Sequence, residues 1–373
     1  MNHQIVILGK EILSVYHGIK EFGPDMVHFV CTEETNQLPD RILPLLPSSI
    51  QHKIYHVQPY DARTVAQVCE QIQKENEGFF VYNLSEGTKL MTLGAIYIVR
   101  KYQAKAFYLT PNREIVHLDT LEKELMHTTL ENHEIVSLSG NHLAEYHNAK
   151  DLAEADIDAS ASIKNFIEQH PKEHARLQKF FGIFCRRDLI NLPASKLFQD
   201  GLRYKQRDGS LLFIYKENQP LLKLPHTNAC HLYFEGRWWE TLVANQVRIW
   251  SNKQSSPREV WQSVLFQSNK QDTRTKNEVD VLLNNELKLM FIECKSGYVS
   301  QNDIYKIDAV RETYGGDISQ AVLASYYPIA KDLQDKCADL QIYLFAPKTA
   351  EQRIDFIYTL PDRLDEWSGA LIL

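Results

Sequence analysis

The stretch Asn277–Lys295, NEVDVLLNNELKLMFIECK, decides the fold of the C-terminal part of this chain. Every second residue from Val279 to Leu283 is apolar, and Leu289–Ile292 begins a second apolar run; both patterns are typical of β-strands. Asn284 and Asn285 lie between the two runs and tolerate the positive φ angles of a tight turn. The stretch is therefore predicted to be two paired strands joined by a turn at these two asparagines.

The same stretch carries three charged residues that could form one site. Side chains alternate between the two faces of a strand, so Glu293 and Lys295 should project together while the Cys294 side chain points the other way. If the strands pair, Asp280 can share the charged face. Carboxylates are the ligands that Mg²⁺ or Mn²⁺ prefers, and a lysine beside the metal can steady developing charge. The alternative is a surface hairpin that carries an ion pair.

A further acid lies upstream, in Gly236-Arg237-Trp238-Trp239-Glu240, which opens a segment of helical spacing. With Glu240 on a helix, Asp280 on the second strand, and Glu293 and Lys295 on the third, the chain resembles the PD-(D/E)xK nuclease superfamily over residues 230 to 350. The core of that superfamily is a helix, three strands, a helix and a strand. A helix predicted for Asp303–Tyr314 and strands predicted for Gln320–Ser325 and Gln341–Ala346 agree with it.

The resemblance implies a role for each of these residues. Glu240, Asp280 and Glu293 would hold one or two Mg²⁺ or Mn²⁺ ions, with the backbone carbonyl of Cys294 as a further ligand. Lys295 would position the attacking water or help to deprotonate it. The catalytic residues implied are thus Glu240, Asp280, Glu293 and Lys295.

Composition describes a water-soluble protein with more than one domain. A chain of 373 residues is too long for one ordinary core. Its six cysteines are scattered without a CxxC pair, which favours reduced thiols and argues against a zinc site. No apolar run approaches the roughly 20 residues that span a bilayer, and MNHQIVILGK at the start reads as a strand rather than a signal peptide. We expect a cytoplasmic protein without a membrane partner.

Charge is unevenly distributed along the chain, whose net charge is −7. Residues 119–160 hold ten acidic and two basic side chains, whereas residues 171–216 hold ten basic and four acidic ones. Residues 241–276, which precede Asp280, hold six basic and two acidic side chains. A surface that binds a nucleic-acid backbone needs local positive charge, so an acidic total does not exclude it. The alternative for residues 171–216 is an ordinary solvated face.

The N-terminal third alternates strands with helices, which predicts a parallel, Rossmann-like sheet covered on both faces. Ligands of such sheets bind beyond the carboxyl ends of the strands. The predicted strands are Gln4–Leu8, Met26–Cys31, Phe79–Asn83, Ala106–Leu109 and Ile115–Leu118, and the predicted helices are Glu11–Phe22, Ala62–Glu75 and Thr88–Tyr102.

A possible anion site follows the strand Phe79–Asn83, where the sequence Asn83–Lys89 is NLSEGTK. Free amides of a helix start, hydroxyl groups and the Lys89 ammonium together suit a phosphate. The alternative is that Ser85 or Thr88 simply caps the helix while Lys89 lies in water. The spacing excludes a Walker loop and a dinucleotide fingerprint.

With Met91 added, this motif is similar to the signature of CARF domains, the CRISPR-associated Rossmann-like sensors of cyclic oligoadenylates. Glu86 stands where that signature has a glycine, and Leu90 where a proline is common; a carboxylate at 86 would repel phosphate unless it turns away. The loop after the first strand also lines the ligand pocket of such domains. The ligand-binding residues implied are Lys10, Ser14, Asn83, Ser85, Glu86, Gly87, Thr88 and Lys89.

Together the two resemblances imply an α/β chain of three parts: a Rossmann-like CARF domain (1–145), a connector (146–226) and a PD-(D/E)xK, restriction-endonuclease-like domain (227–373). This combination resembles the ancillary nucleases of type III CRISPR systems. Those proteins are homodimers in which cyclic tetra-adenylate binds between two sensor domains and reorients the nuclease domains.

The connector is predicted to hold helices followed by a hairpin, Tyr204–Tyr215, around Asp208-Gly209, and could be a small winged-helix-like unit. Its candidate contacts to a nucleic-acid backbone are Arg186, Arg187, Arg203, Lys205 and Arg207. Aromatic side chains near the nuclease motifs could stack on bases, although core packing is favoured for most of them; these are Tyr233, Trp238, Trp239 and Trp261.

The sequence therefore predicts a metal-dependent endonuclease, activated by cyclic oligoadenylate, that cuts DNA and could also cut RNA with little sequence specificity in antiviral defence. Two alternatives stay open. One is a repair or restriction-type nuclease that needs no activator, and the other is a non-catalytic sensor that regulates through its basic middle region.

Overall fold

A computed structural model of the chain describes residues 1–110, 113–184, 189, 192–255, 258–267, 275–285, 288–315 and 319–369. The chain forms two compact units, the first of Met1–His142 and the second of most of the chain from Leu143 onward. No helix in the described part is both long and apolar enough to cross a membrane.

The first unit is a Rossmann-like layer built on a seven-stranded sheet of order β3-β2-β1-β4-β5-β6-β7. Its first five strands are parallel, and the last two pair antiparallel at one edge. The strands are β1 Asn2–Ile7, β2 Met26–Cys31, β3 Gln51–His56, β4 Phe79–Asn83, β5 Lys105–Leu109, β6 Glu114–His117 and β7 Lys123–Leu125, and the helices are α1 Leu13–Phe22, α2 Pro39–Ile42, α3 Ala62–Glu75, α4 Lys89–Tyr102 and α5 Asn132–Leu138.

Strand order places the ends of β1 and β4 side by side at the centre of this sheet. From β1 the chain moves to β2 on one side, and from β4 it moves to β5 on the other. The carboxyl ends of two such neighbours form the crevice in which doubly wound sheets bind ligands. The loops after β1 and β4 are the two that the sequence singled out.

The second unit contains two sheets, of order β17-β16-β15-β14-β13-β8 and β12-β11-β10-β9. Its strands are β8 His142–Asn148, β9 Ser195–Leu197, β10 Leu202–Arg207, β11 Leu211–Lys216, β12 Gln219–Pro225, β13 Val260–Gln267, β14 Thr275–Asn285, β15 Lys288–Lys295, β16 Gln320–Ser325 and β17 Ile342–Phe345. Its helices are α6 Glu154–Gln169, α7 Pro171–Phe184, α8 Ala229–Phe234, α9 Arg237–Lys253, α10 Gln301–Gly315, α11 Lys331–Asp339, α12 Arg353–Phe356 and α13 Leu360–Gly369.

Helix α9 lies on the six-stranded sheet through a buried apolar face. Val243 and Val247 belong to the same core as Val281 of β14 and Ile292 of β15. The Trp239 indole is also buried, and its Nε1 donates to the Ala324 carbonyl oxygen at 2.9 Å, which fixes the rotation of the helix. The first turn of α9 is therefore held against the sheet.

The predicted hairpin is present, but its turn is not at Asn284 and Asn285. Both residues continue β14 and are buried. The Asn284 amide donates to the Glu259 carbonyl oxygen at 2.9 Å, and Asn285 Nδ2 donates to Gln320 Oε1 at 3.0 Å. Partners on both sides keep the asparagines in the sheet, so the turn assigned to them from their tolerance of positive φ is wrong. Residues 286–287 lie outside the described part.

The connector region contains helices α6 and α7 followed by a four-stranded antiparallel sheet. The predicted hairpin is confirmed: β10 and β11 pair around Asp208 and Gly209, whose φ angles of +48° and +73° suit a tight turn. Its winged-helix character stays a prediction. Arg186, Arg187 and residues 268–274 of the basic run lie outside the described part.

Candidate active site and sensor loop

The carboxylates predicted from sequence lie on three neighbouring elements of the second unit. Glu240 lies in the first turn of α9, Asp280 on β14 and Glu293 on β15. Gly236 precedes α9 with φ +86°, and a Cβ atom there would lie 2.1 Å from Ser296 Oγ. This glycine therefore allows the chain that leaves β15 to pack against the start of α9.

Glu293 is buried, Glu240 and Asp280 are half-buried, and the three acids lie close enough to interact electrostatically. Burial, together with the charges of Glu278 and Glu293, raises the pKa of Glu240 to about 7, although Arg237 opposes the rise. Burial, together with the charges of Glu240 and Glu293, raises the pKa of Asp280 well above its ordinary value. Glu293 itself is only 2 % exposed. Carboxylates crowded together in this way, with the pKa values of Glu240 and Asp280 raised, form a site that favours a bound cation.

Two lysines bind the innermost acid. Lys295 Nζ lies 2.9 Å from Glu293 Oε1 and 3.1 Å from Asp303 Oδ1, so Glu293 and Lys295 share a face as the alternation predicts. Lys306 Nζ lies 3.1 Å from the same Glu293 oxygen. Burial alone would lower the pKa of Lys295, but the two carboxylates outweigh it and hold that pKa above its ordinary value. Lys295 is therefore a cation at neutral pH.

The chemistry of these residues suits a hard divalent ion. In the described ranges, no group of three or more His, Cys, Asp or Glu side chains is already arranged to hold a metal ion. Asp280 Oδ2 accepts a hydrogen bond from the Cys294 amide at 2.6 Å. The Lys295 carbonyl oxygen accepts from the Tyr326 amide on the β16 side, so the Cys294 carbonyl points to the opposite edge of β15, where Asp280 lies. Carboxylate and carbonyl oxygens there match the ligands that Mg²⁺ and Mn²⁺ prefer.

A cleft of about 1040 Å³ opens beside these acids, with Glu240 and Asp280 in its wall. Its lining also includes Arg237 and Glu278. Ser263 of β13 lines it too, with φ +49°, and lies between two regular pairs of the β13–β14 ladder. A positive φ is uncommon for a residue other than glycine, and this one lies at the edge of the cleft.

Sequence reasoning missed four residues that contact or line this site. Arg237 precedes Glu240 by one helical turn, and this spacing is the only sign in the sequence that Arg237 belongs to the site. Asp303 and Lys306 lie on α10, one turn apart, and reach Lys295 and Glu293 respectively. Glu278 lies two residues before Asp280, on the same face of β14.

The four aromatic residues considered for base stacking are core residues, which is the role that the sequence analysis favoured for most of them. Tyr233, Trp238, Trp239 and Trp261 are each at most 1 % exposed.

One consequence of the crowded acids is that Asp280→Asn should stabilise the metal-free protein at pH 8. The amide keeps an acceptor for the Cys294 amide but removes a buried charge. A carboxyl group whose pKa is raised on folding lowers the stability of the fold at pH values above its pKa in the unfolded chain. Below that unfolded pKa the effect disappears, because the group is protonated in both states. The gain should therefore shrink as the pH falls and vanish near pH 4.

Thermal unfolding at pH 8 and pH 4 measures this difference. We expect Tm to rise by several degrees at pH 8, since about 1 kcal/mol corresponds to roughly 2–4 °C for a unit of this size. An equal or lower Tm for the variant at pH 8 would contradict the mutual repulsion.

In the first unit, the loop after β4 is held by hydrogen bonds of its own residues. Asn83 is fully buried, and its Oδ1 accepts from the Ser85 amide at 3.1 Å and the Ser85 hydroxyl at 2.6 Å. Ser85 Oγ in turn accepts from the Leu109 amide at 2.9 Å. Thr88 caps α4 by accepting from the Met91 amide at 3.2 Å and donates to the Pro59 carbonyl oxygen. Asn83, Ser85 and Thr88 thus shape the loop.

Glu86 turns toward the loop after β1. Its Oε1 accepts from the Ser14 hydroxyl at 3.0 Å, and burial, with the nearby charge of Glu11, raises its pKa to about 7. Gly87 has φ +90°, and a Cβ atom there would lie 2.4 Å from Ile7 Cγ2. Lys10 and Lys89, the two predicted phosphate partners, are exposed. Ser14 lies in the first turn of α1, so Glu86 links the loop after β4 to the start of that helix, with cations available at the surface.

Comparison with known proteins agrees with this fold. Residues 228–358 match the sequence model of the Card1-like endonuclease domain. No curated protein sequence matches the chain. Can2 from Sulfobacillus thermosulfidooxidans, solved in complex with cyclic tetra-adenylate, is 18% identical with TM-score 0.73, and the match covers 99% of both chains. Protein VC1899 from Vibrio cholerae is 18% identical with TM-score 0.76, over 99% of this chain and 98% of that one.

A third solved structure, a type III CRISPR defence DNA nuclease activated by cyclic oligoadenylate, is 14% identical with TM-score 0.56. The match covers 88% of this chain but only 46% of that one. The predicted fold is confirmed: a Rossmann-like sheet precedes a second unit, in which residues 228–358 match the Card1-like endonuclease domain.

Proposed function

We propose that this chain, in which a CARF-type domain is joined to a Card1-like endonuclease domain, is a metal-dependent endonuclease of type III CRISPR defence that cyclic tetra-adenylate activates. The convergence of Glu240, Asp280 and Glu293 beside a cationic Lys295 carries the proposal. The match of residues 228–358 supports the nuclease activity, and the fold shared with Can2, which was solved with cyclic tetra-adenylate, supports the activator.

In this account Glu240, Asp280 and Glu293, with the Cys294 carbonyl, would hold Mg²⁺ or Mn²⁺, and an ion held there would supply a Lewis acid for the phosphodiester and for the attacking water. The Lys295 ammonium donates to the attacking water or to the phosphate oxygens and so opposes the charge that develops on them. Because the pKa of Lys295 is raised, the amine positions this water rather than taking its proton. Asp303 orients Lys295 through the 3.1 Å contact.

The substrate in this proposal is DNA, with RNA as a second possible substrate. Basic side chains contact phosphates, which are the same at every base, so sequence specificity should be low. Arg203, Lys205 and Arg207 of the connector are candidate phosphate contacts. Mutation of such contacts should weaken binding of all sequences alike.

The ligand pocket is assigned to the loops after β1 and β4, with Lys10 and Lys89 as phosphate partners and Ser14, Asn83, Ser85, Glu86, Gly87 and Thr88 as the frame. The proposed homodimer is supported by helix α4 of the same unit. Leu90, Leu93 and Tyr97 share one face of this helix and are 39%, 57% and 63% exposed. A second copy of the chain could cover this apolar stripe. Light scattering of the purified protein measures the assembly.

Nicking of supercoiled plasmid and cleavage of single-stranded DNA and RNA, each with and without cyclic tetra-adenylate and Mn²⁺, tests the function. The proposal expects cleavage only when both are present. Cleavage without the nucleotide favours the repair or restriction-type nuclease. Binding of the nucleotide without cleavage under any condition favours the non-catalytic regulator. Cyclic tri- and hexa-adenylate in parallel reactions test the ring size.

Glu86 should make the affinity for cyclic tetra-adenylate depend on pH. In this proposal its carboxylate lies beside the bound ligand, and an anionic ligand binds better to its protonated form. Affinity should therefore be highest below pH 7 and fall as the pH rises through 7. Glu86→Gln removes the titrating charge, so it should bind about tenfold more tightly than the parent at pH 8 and about equally at pH 6.

Isothermal titration at the two pH values measures these affinities, with Glu75→Gln, an exposed acid at the C-terminal end of α3, for comparison. A Glu86→Gln protein with the same affinity and the same pH dependence as the parent would show that Glu86 lies outside the pocket.

A further inference from the structure

A highly exposed tyrosine follows the site on the loop that leaves β15. Tyr298 is 87% exposed, more than any other large hydrophobic side chain in the described part of the chain. It lies three residues after Lys295, so their Cα atoms are at most about 11 Å apart. Ser296 of this loop packs against Gly236 at the start of α9, one turn from Glu240. The loop therefore lies at the rim of the carboxylate site.

Tyr298 is the outer member of a stack that reaches the core. Its ring lies parallel to that of Tyr327, with centroids 5.3 Å apart and planes at 22°. The Arg353 guanidinium lies 5.0 Å from the Tyr327 ring centroid and 5.4 Å from that of Tyr326. Tyr326 is buried against Trp238, with centroids 4.9 Å apart. A surface aromatic is thus supported from behind by a fixed ring and a cation.

Core packing does not account for this arrangement. A tyrosine that is 87% exposed removes little apolar area from water, so its burial adds little to stability. A flat ring with one supported face and one solvent-facing face suits another planar group. Bases of a single strand are such groups, and they stack on aromatic side chains with little regard to sequence. Arg353 behind the stack adds positive charge that complements a phosphate chain.

We propose that Tyr298, supported by Tyr327 and Arg353, is a subsite on which an unpaired nucleobase beside the cleaved phosphate stacks. This rests on the proposed nuclease function and adds a binding residue outside the carboxylate site. The subsite would take a base from DNA or RNA, because the stacking surface is common to both. Bases paired in a duplex are already stacked on their neighbours and gain nothing from it.

Cleavage by the full-length protein tests the subsite, with Mn²⁺ and cyclic tetra-adenylate present. Tyr298→Ala should lower kcat/KM for a single-stranded oligonucleotide by roughly 5- to 150-fold. Its kcat/KM for the same sequence in a duplex should change less than about twofold. Tyr298→Trp should retain or exceed the parent's activity. Tyr358→Ala removes another exposed tyrosine of the same unit, 59% exposed, and should have no effect on either substrate.

A binding measurement separates this inference from the nuclease proposal. Glu293→Gln protein is titrated into a single strand that contains 2-aminopurine, whose fluorescence falls when the base stacks. Quenching that disappears in the Glu293→Gln, Tyr298→Ala double variant supports the subsite even if no cleavage is found. Unchanged single-strand cleavage or unchanged quenching in the Tyr298→Ala proteins overturns the subsite and leaves the nuclease proposal standing. A shift in oligomeric state with Tyr298→Ala would assign the ring to a contact between copies and also overturn it.

Discussion

Glu293→Gln is expected to lower the rate of activator-dependent nicking by about 10³-fold or more. The carboxylate is buried, lies within reach of Glu240 and Asp280, and binds Lys295 and Lys306 through one oxygen. Glutamine keeps the shape of the side chain but removes the charge that a divalent ion needs. A charge that acts in a buried site is worth several kcal/mol of transition-state stabilisation, which corresponds to the expected loss.

The fold should survive this change, because glutamine keeps the shape of the side chain and its Oε1 can still accept hydrogen bonds from Lys295 and Lys306. Circular dichroism and Tm check that point. Glu312→Gln on α10 is the matched control, since the Glu312 side chain is 71% exposed, and it should nick plasmid like the parent. Nicking by Glu293→Gln at more than a tenth of the parent rate would remove Glu293 from the catalytic site.

Lys295→Met should lower nicking by about 10²- to 10³-fold, whereas Lys306→Met should lower it by less than tenfold. Both amines contact Glu293 Oε1, so proximity alone does not distinguish them. Lys295 is also oriented by Asp303, and its side chain is 25% exposed against 46% for Lys306. A fixed, half-buried cation stabilises developing charge better than a solvated one.

Single-turnover rates of the two methionine variants, measured with saturating Mn²⁺, test this assignment. An equal loss for both variants would mean that the two lysines act as a pair. A larger loss for Lys306→Met would transfer the catalytic role of the amine to α10.

Strands and helices with strong periodicity could be predicted from sequence, and elements that depend on distant partners could not. Met26–Cys31 and Gln320–Ser325 are mostly apolar and buried throughout, and they were assigned to their observed bounds. Strand β3, Gln51–His56, was missed because its residues are almost all polar and exposed, and only pairing with β2 makes it a strand. Asn284 was assigned to a turn because its backbone partner, Glu259, is remote in sequence.

The acids of the candidate site could be found because superfamily spacing fixes their places on one helix and two strands. Asp303 and Lys306 could not be found, because a polar residue on an amphipathic helix is expected to face solvent. Only the position of α10 beside β15 brings these two residues to the site. The burial that raises the pKa values of Glu240 and Asp280 depends on tertiary packing. It therefore could not be predicted from the sequence pattern. Similarly, the contact between Glu86 and Ser14 depends on how the loop after β4 packs against the start of α1.

Binding of Mn²⁺ to the parent and to Glu240→Gln, Asp280→Asn and Glu293→Gln tests most directly whether three acids share one cation. Loss of the electron paramagnetic resonance signal of free Mn²⁺ at pH 8, where Glu240 is ionised, reports the affinity without any need for cleavage. Each single variant should bind at least tenfold more weakly than the parent, and Glu312→Gln should bind equally well. Unchanged Mn²⁺ affinity in all three variants would contradict the shared site.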